Sequence, residues 1–422
     1  FVDKNDRKIE DLEAFLSKYN KSIYRDDAYY ELGNTYVATG NTQKAIQSYN
    51  KLINEQSSSS FVSKALLKQG LIYYNNDQGP KALQKFKKVV QDYPGTEEAN
   101  QAVKTARVVY VDLGRTDEYA SWVSTLDFVE VSDSDIDNAT YEAAENQFIE
   151  NNTTAAKKGF KKYLNDFPNG LHALSAHFYL GQLQFRDEEK DQAIPHYKYV
   201  VEQSRSEFTE QALARLSQLY LENKNYQAAI PVLKRLEQEA DFPQNITFAQ
   251  SNLMKAYYQL ENYESTVQYA EKVLQDNKIE NNVKSDAQVF IARSAIKTGN
   301  EARAKTAYQE VKKIATGSLA AEAQYYDAYF LNKEGKYEES NESAQLLARE
   351  YSSYRKWGVK GLLIMAKNWE KLDDPYQTTT ILNAVISNFQ SYPDVIEEAK
   401  AELARIKSEQ AETNSSVEAE QN

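Results

Sequence analysis

The chain of 422 residues has no cysteine, which excludes structural disulfides, thiol catalysis and zinc–thiolate sites. It has no continuous apolar run of about 18 residues, so the sequence predicts no transmembrane helix. Proline (8) and glycine (14) are scarce, and no alternating β-branched run lies between turn signals. That leaves strands without a candidate and favours continuous helices. A net charge of −12 argues against the basic surface that non-specific nucleic-acid binding requires. Neither a Gly-rich phosphate loop nor a Gly-x-Ser-x-Gly serine elbow is present, so no enzymatic activity and no cofactor is expected.

Metal sites fare no better. Asp133, Asp135 and Asp137 occupy the first three ligand positions of a calcium loop. Asn138 then stands where the loop needs glycine, and Ala144 where it needs a bidentate glutamate. The residues read instead as an acidic linker in which Asp137 or Asn138 caps the next helix. The three histidines are His172, His177 and His196. The first two lie five apart instead of at the i, i+4 spacing of a helical metal pair, so all three read as packing residues.

What the chain does have is a recurring position, held mostly by small residues: Gly33, Gly70, Arg107, Ala144, Gly181, Ser217, Met254, Ala292, Ala328 and Ala366. The nine intervals cover 333 residues, a mean period of 37. A fixed period in this range marks a solenoid, in which each unit buries its apolar face by stacking on its neighbours. Within one unit, Leu32-Gly33 is followed by Tyr36, Ala45 and Tyr49; the next unit repeats this with Gly70, Tyr73, Ala82, Phe86 and Pro94. The small residue and the later alanine are where two antiparallel helices, A and B, come closest. The aromatics fill the space around that approach, and the three-four apolar spacing forms each helix's buried stripe. Breakers punctuate the array at Thr39-Gly40-Asn41, Asn223-Lys224-Asn225, Thr298-Gly299-Asn300 and Glu334-Gly335-Lys336.

This layout resembles the tetratricopeptide repeat. The resemblance implies an all-α, right-handed solenoid of about ten helix-turn-helix repeats. The longer period and the Tyr93-Pro94 and Phe167-Pro168 endings look like the bacterial envelope branch of that family, which includes outer-membrane-assembly lipoproteins and periplasmic division coordinators. A periplasmic or outer-membrane-associated location is expected on that ground, with the cytoplasm as the alternative. The array divides at the acidic linker into 1–132 and 133–409, the second part closed by an amphipathic helix over 394–408. Residues 410–422 have almost no apolar content and predict a disordered tail. Residues 3–19 read as a lone helix B, so the array is expected to begin in mid-repeat.

In the resembled family, ligands lie against helix A. With the small residue counted as eighth in its unit, the second, fifth, ninth, twelfth and thirteenth positions face them. Helical periodicity independently puts the fifth, ninth and twelfth on one face. The first half of that surface would present Tyr30, Asn34, Tyr74, Tyr141, Phe178 and Phe185. The second half would present Lys255, Tyr258, Arg293, Lys297, Tyr325, Tyr329, Lys333 and Lys367, with Glu322 and Glu370 as carboxylates that could pair with some of them. A basic stripe on an acidic chain predicts an acidic protein or peptide partner. The aromatic half leaves a glycan ligand as the alternative. The family's peptide-carboxylate clamp is absent: Asn34 matches one of its positions, but Tyr30 replaces a lysine and Lys64 falls one unit early.

Overall fold

The computed structural model describes residues 4–130, 132–276 and 278–420, with side chains through Glu409. Regular structure among the described residues consists of 22 helices and no strand. The chain divides into two compact units, 1–209 and 210–422. The first unit contains α1 (Lys4–Lys18), α2 (Arg25–Ala38), α3 (Thr42–Glu55), α4 (Phe61–Asn75), α5 (Gly79–Asp92) and α6 (Glu97–Asp112). It continues through α7 (Thr116–Val123), α8 (Asp133–Ile149), α9 (Thr153–Asp166), α10 (Ala173–Arg186) and α11 (Lys190–Glu202). The second opens with α12 (Thr209–Glu222), α13 (Tyr226–Glu239), α14 (Pro243–Gln259), α15 (Tyr263–Gln275), α16 (Asn281–Lys297) and α17 (Glu301–Ile314). It ends with α18 (Gly317–Lys333), α19 (Tyr337–Glu350), α20 (Arg355–Lys371), α21 (Pro375–Asn388) and α22 (Pro393–Glu420). Helices α2 to α21 form successive A–B pairs at the expected period, so the fold is an all-α solenoid.

The small position works as its spacing implies. A Cβ at Gly33 would press into the Tyr49 ring, and one at Gly70 into the Phe86 ring. In the fourth repeat Ala144 holds the small position on α8 and a second small residue, Gly159 of α9, lies against it, an added Cβ there falling 2.8 Å from the Ala144 Cβ. In the third, Ala106 takes the buried place one residue early, and Arg107 turns outward to Glu142 at 3.0 Å.

The A–B turns follow one local rule. Gly40 and Gly299, with φ of 76° and 75°, supply the left-handed residue that ends helix A. The asparagine that follows caps helix B: Asn41 accepts from the Lys44 amide at 3.2 Å and Asn300 from the Arg303 amide at 3.1 Å. Lys224 and Glu261 take the same left-handed backbone without being glycine, and Asn225 and Asn262 cap after them.

Acidic residues seven places before the small position fasten one A helix to the next. Asp26 accepts from the Ser59 hydroxyl at 2.7 Å, and Asp137 from the Leu171 amide at 2.8 Å. Glu210 accepts from the amides of Asp241 and Phe242 at 3.0 and 3.2 Å, just ahead of α14. Residues 133–137 are therefore not a linker. They form the first turn of α8, well inside the first unit, and the cap is Ser132, one partner of a capping box with Asp135. Asp137 is buried and also accepts from the Tyr163 hydroxyl at 2.6 Å.

Pro195 and Pro231 lie in the second turn of their B helices, each removing one backbone donor there. Val395, Ala399, Leu403 and Ile406 of α22 pack on Val359, Leu363 and Leu382, closing the second unit. The α22 backbone continues helically to Glu420, across the segment whose composition predicts disorder; residues 421 and 422 lie outside the described residues.

Candidate functional site

In the second unit the basic stripe is built from helix A side chains, as its spacing requires, but its charges are met from within. Lys255 of α14 pairs with Asp286 of α16 at 2.9 Å, and Lys367 of α20 with Glu398 of α22 at 2.8 Å. Lys333 reaches Glu301 at 3.4 Å, and the Tyr329 hydroxyl donates to the same carboxylate at 3.1 Å. Arg293 is the most deeply committed. Its Nε and Nη2 donate to the two oxygens of Glu322 at 2.7 and 2.5 Å, and the Tyr308 hydroxyl donates to Glu322 at 2.8 Å.

The Glu322 side chain is 2% exposed and that of Arg293 33%. Burial alone would lower the guanidinium pKa, but the hydrogen bonds and charge of Glu322 outweigh it and raise it. The Tyr308 phenol is pushed far up by burial, with the Glu322 charge next. Of the predicted cations, Lys297 is exposed and has no ion pair among the described residues. The tyrosines of the stripe pack on neighbouring rings: Tyr258 meets Phe290 edge-on at 5.1 Å, and Tyr325 lies 5.3 Å from Trp357. The acidic partner expected from uncompensated charge is thus not required by this stripe, because neighbouring helices supply carboxylates to Lys255, Arg293, Lys333 and Lys367.

The first unit differs. Tyr30 stacks on Phe61 at 5.0 Å, and Asn34 accepts from the Tyr49 hydroxyl at 2.8 Å. Tyr141 and Phe178 are buried, not surface residues. Tyr141 stacks on His172 at 4.2 Å and Phe178 on Phe208 at 4.4 Å, because their turns of helix face the next repeat. Phe185 is half-buried against Tyr197. Tyr74 remains accessible. Its hydroxyl donates to Asp112 at 2.7 Å, and that bond, together with partial burial, pushes its pKa up to about 12.

The A helices of this unit also carry exposed apolar side chains that the sequence reading did not single out: Val37 (40%), Val108 (41%) and Ile149 (72%). They occupy the twelfth, ninth and thirteenth positions of their repeats, so the geometric rule placed them and only the preference for aromatic and charged residues passed over them. Two further features were missed. His177 and His196 lie with their Nδ1 atoms 2.8 Å apart, one donating to the other, beneath Tyr199 at 3.8 Å. Lysines also collect on the B helices of the first two repeats. Among the described residues, no group of three side chains is arranged to hold a metal ion, and no helix is long and apolar enough to cross a membrane.

Comparison with known proteins agrees with the repeat geometry. Residues 26–58 and 64–96 match models of the tetratricopeptide repeat, and residues 129–251 match a tetratricopeptide repeat-like domain. No curated protein matches the chain. Similar solved structures include a tetratricopeptide repeat protein from Parabacteroides merdae, at 14% identity and a TM-score of 0.34, covering 64% of this chain and 100% of that one. A second is the C-terminal part of a repeat-containing protein from Cytophaga hutchinsonii, at 13% identity and a TM-score of 0.33, covering 59% of this chain and 95% of that one. A third is yeast Tom70, at 12% and 0.33, covering 96% and 93% respectively. Scores this low carry nothing about partner or location. The segment matches and the helix pairs together show an all-α solenoid that carries tetratricopeptide repeats, a repeat that generally mediates protein–protein interaction.

Proposed function

We propose that this protein is a non-enzymatic scaffold that holds a protein or peptide partner against the A helices of its first unit. One observation carries the reading: the A-helix positions leave Val37, Val108 and Ile149 exposed there, with Tyr74 half-buried, whereas Lys255, Arg293, Lys333 and Lys367 of the second unit are already paired. Exposed apolar side chains on several A helices of one unit form the kind of surface that partner association desolvates. A glycan ligand finds no support, since Tyr141 and Phe178, two of the rings offered for stacking, are buried.

The working place of this scaffold is, in our reading, the cell envelope of a bacterium, on the strength of the Tyr93-Pro94 and Phe167-Pro168 repeat endings and the long period. Photo-cross-linking from position 74 or 108 in living cells tests both parts. A discrete protein adduct in the envelope fraction supports them; adducts with cytoplasmic chaperones alone overturn the location, and no adduct from either position overturns the surface.

A further inference from the structure

The segment 42–91 is charged unlike the rest of the chain. It holds eight lysines, Lys44, Lys51, Lys64, Lys68, Lys81, Lys85, Lys87 and Lys88, against two acids, Glu55 and Asp77, in a protein of net charge −12. The excess is patterned. Lys-Ala-Ile-Gln-Ser-Tyr-Asn-Lys at 44–51 recurs one period later as Lys-Ala-Leu-Gln-Lys-Phe-Lys-Lys at 81–88. Lys44, Gln47 and Lys51 therefore have identical counterparts in Lys81, Gln84 and Lys88, and Ser48 is replaced by a further lysine, Lys85.

On a helix, residues at i, i+3 or i+4, and i+7 share one face. In α3 that face is seen directly. Lys44, Gln47, Ser48 and Lys51 line a cleft of about 370 Å³ against Glu13 and Ser17 of α1, floored by Tyr29, Leu32 and Tyr36 of α2. All six lysine and glutamine counterparts are exposed. Only Lys88 of the eight lysines has an ion pair among the described residues, with Asp92 at 2.8 Å. Lys85 is half-buried with its pKa lowered, by burial first and the Lys88 charge second. This is the reverse of the second unit's stripe, where carboxylates of neighbouring helices meet four of the five cations.

We propose that this B-helix face of the first two repeats is a second docking surface, for a segment of a partner protein rich in aspartate and glutamate. The chemistry selects among polyanions. The segment has no arginine to fork onto phosphate or base edges. None of its large apolar residues is exposed for insertion into a bilayer. The glutamines between the lysines supply amide groups that pair with peptide backbone, and the cleft beside Lys44 and Lys51 has room for an acidic side chain.

The surface is independent of the A-helix surface proposed above, and either can fail alone. The test uses the full chain with a fluorescein-labelled ten-residue poly-glutamate peptide, followed by anisotropy at low salt. Replacing Lys44, Lys51, Lys81 and Lys88 with glutamine should weaken binding about ten-fold, roughly a factor of two for each exposed charge. Helicity should be unchanged, and each pair alone should give part of the loss. Lys333→Gln with Lys367→Gln serves as the control and should change little. Equal binding by wild type and the quadruple variant overturns the proposal. So does stronger binding to phosphatidylglycerol vesicles or oligo-dT that the same variant abolishes, or a concentration-dependent dimer that it dissolves.

Discussion

Glu322→Gln is the substitution whose consequence the second unit defines best. The native carboxylate, 2% exposed, accepts from Arg293 Nε and Nη2 and from the Tyr308 hydroxyl. Glutamine keeps the shape but turns an amide donor toward those donors and removes the charge that the guanidinium neutralises. Breaking a fully buried pair costs about 3–5 kcal/mol. Arg293 is 33% exposed, so water recovers part of its hydration, and about 2–3 kcal/mol is expected. Arg293→Met should cost a similar amount by stranding Glu322. The double change Arg293→Met with Glu322→Leu should cost clearly less than the sum, with a coupling on the order of 2 kcal/mol. Repeat arrays open locally, so amide exchange of α16 to α18 should be read alongside urea unfolding. A loss below about 0.5 kcal/mol with unchanged exchange would show that Arg293 is a solvated cation free to meet a partner, and would refute its role as an internal strut.

His177 and His196 are both held down to about 4, chiefly by burial and next by a neighbouring positive charge, that of His196 and of Lys161 respectively. The unfolded chain therefore binds more protons between about 4 and 6.5, so stability is full above that window and falls as pH drops through it, by a few kcal/mol at most given their partial exposure. Melting at pH 7.5 and 5.0 should show the drop, and replacing both histidines with glutamine should flatten it; an unaltered slope contradicts the assignment. Gly33→Ala should destabilise by about 1–3 kcal/mol despite alanine's better helix propensity, because its Cβ meets the Tyr49 ring, and a gain in melting temperature would contradict that packing. Asp137→Ala strands the Tyr163 hydroxyl and the Leu171 amide and should cost about 2–4 kcal/mol in urea unfolding; a near-neutral effect would mean water replaces it freely.

The period, the helix pairing and the turns were legible because each rests on local chemistry: a small residue at a close approach, a left-handed residue before an asparagine cap, and an apolar stripe. Which inward side chains stay available was not. Lys255 and Lys367 read as free cations because their carboxylates, Asp286 and Glu398, lie 31 residues further on, a pairing only the stacked repeats reveal. Reversing Arg293 to glutamate cannot leave stability unchanged, as a free surface charge would, because it would set two carboxylates together beside a buried phenol. Tyr141 and Phe178 occupy the expected helical position but are covered by His172 and Phe208 from the following repeat. The lysine face of α3 and α5 is written in the sequence as a recurring octapeptide at 44–51 and 81–88, on the B helices and outside the helix A positions that the repeat pattern marks for ligands.

The most direct measurement is the affinity of the partner captured at position 74 for two variants of the full chain. Tyr74→Ala with Val108→Ala trims the exposed inward surface of the first unit, and Lys333→Glu with Lys367→Glu reverses two cations of the second. The first should weaken binding about ten-fold or more, through lost apolar and ring burial, and the second by less than about two-fold, because those charges already have carboxylate partners. The opposite order would contradict the assignment of the partner surface to the first unit.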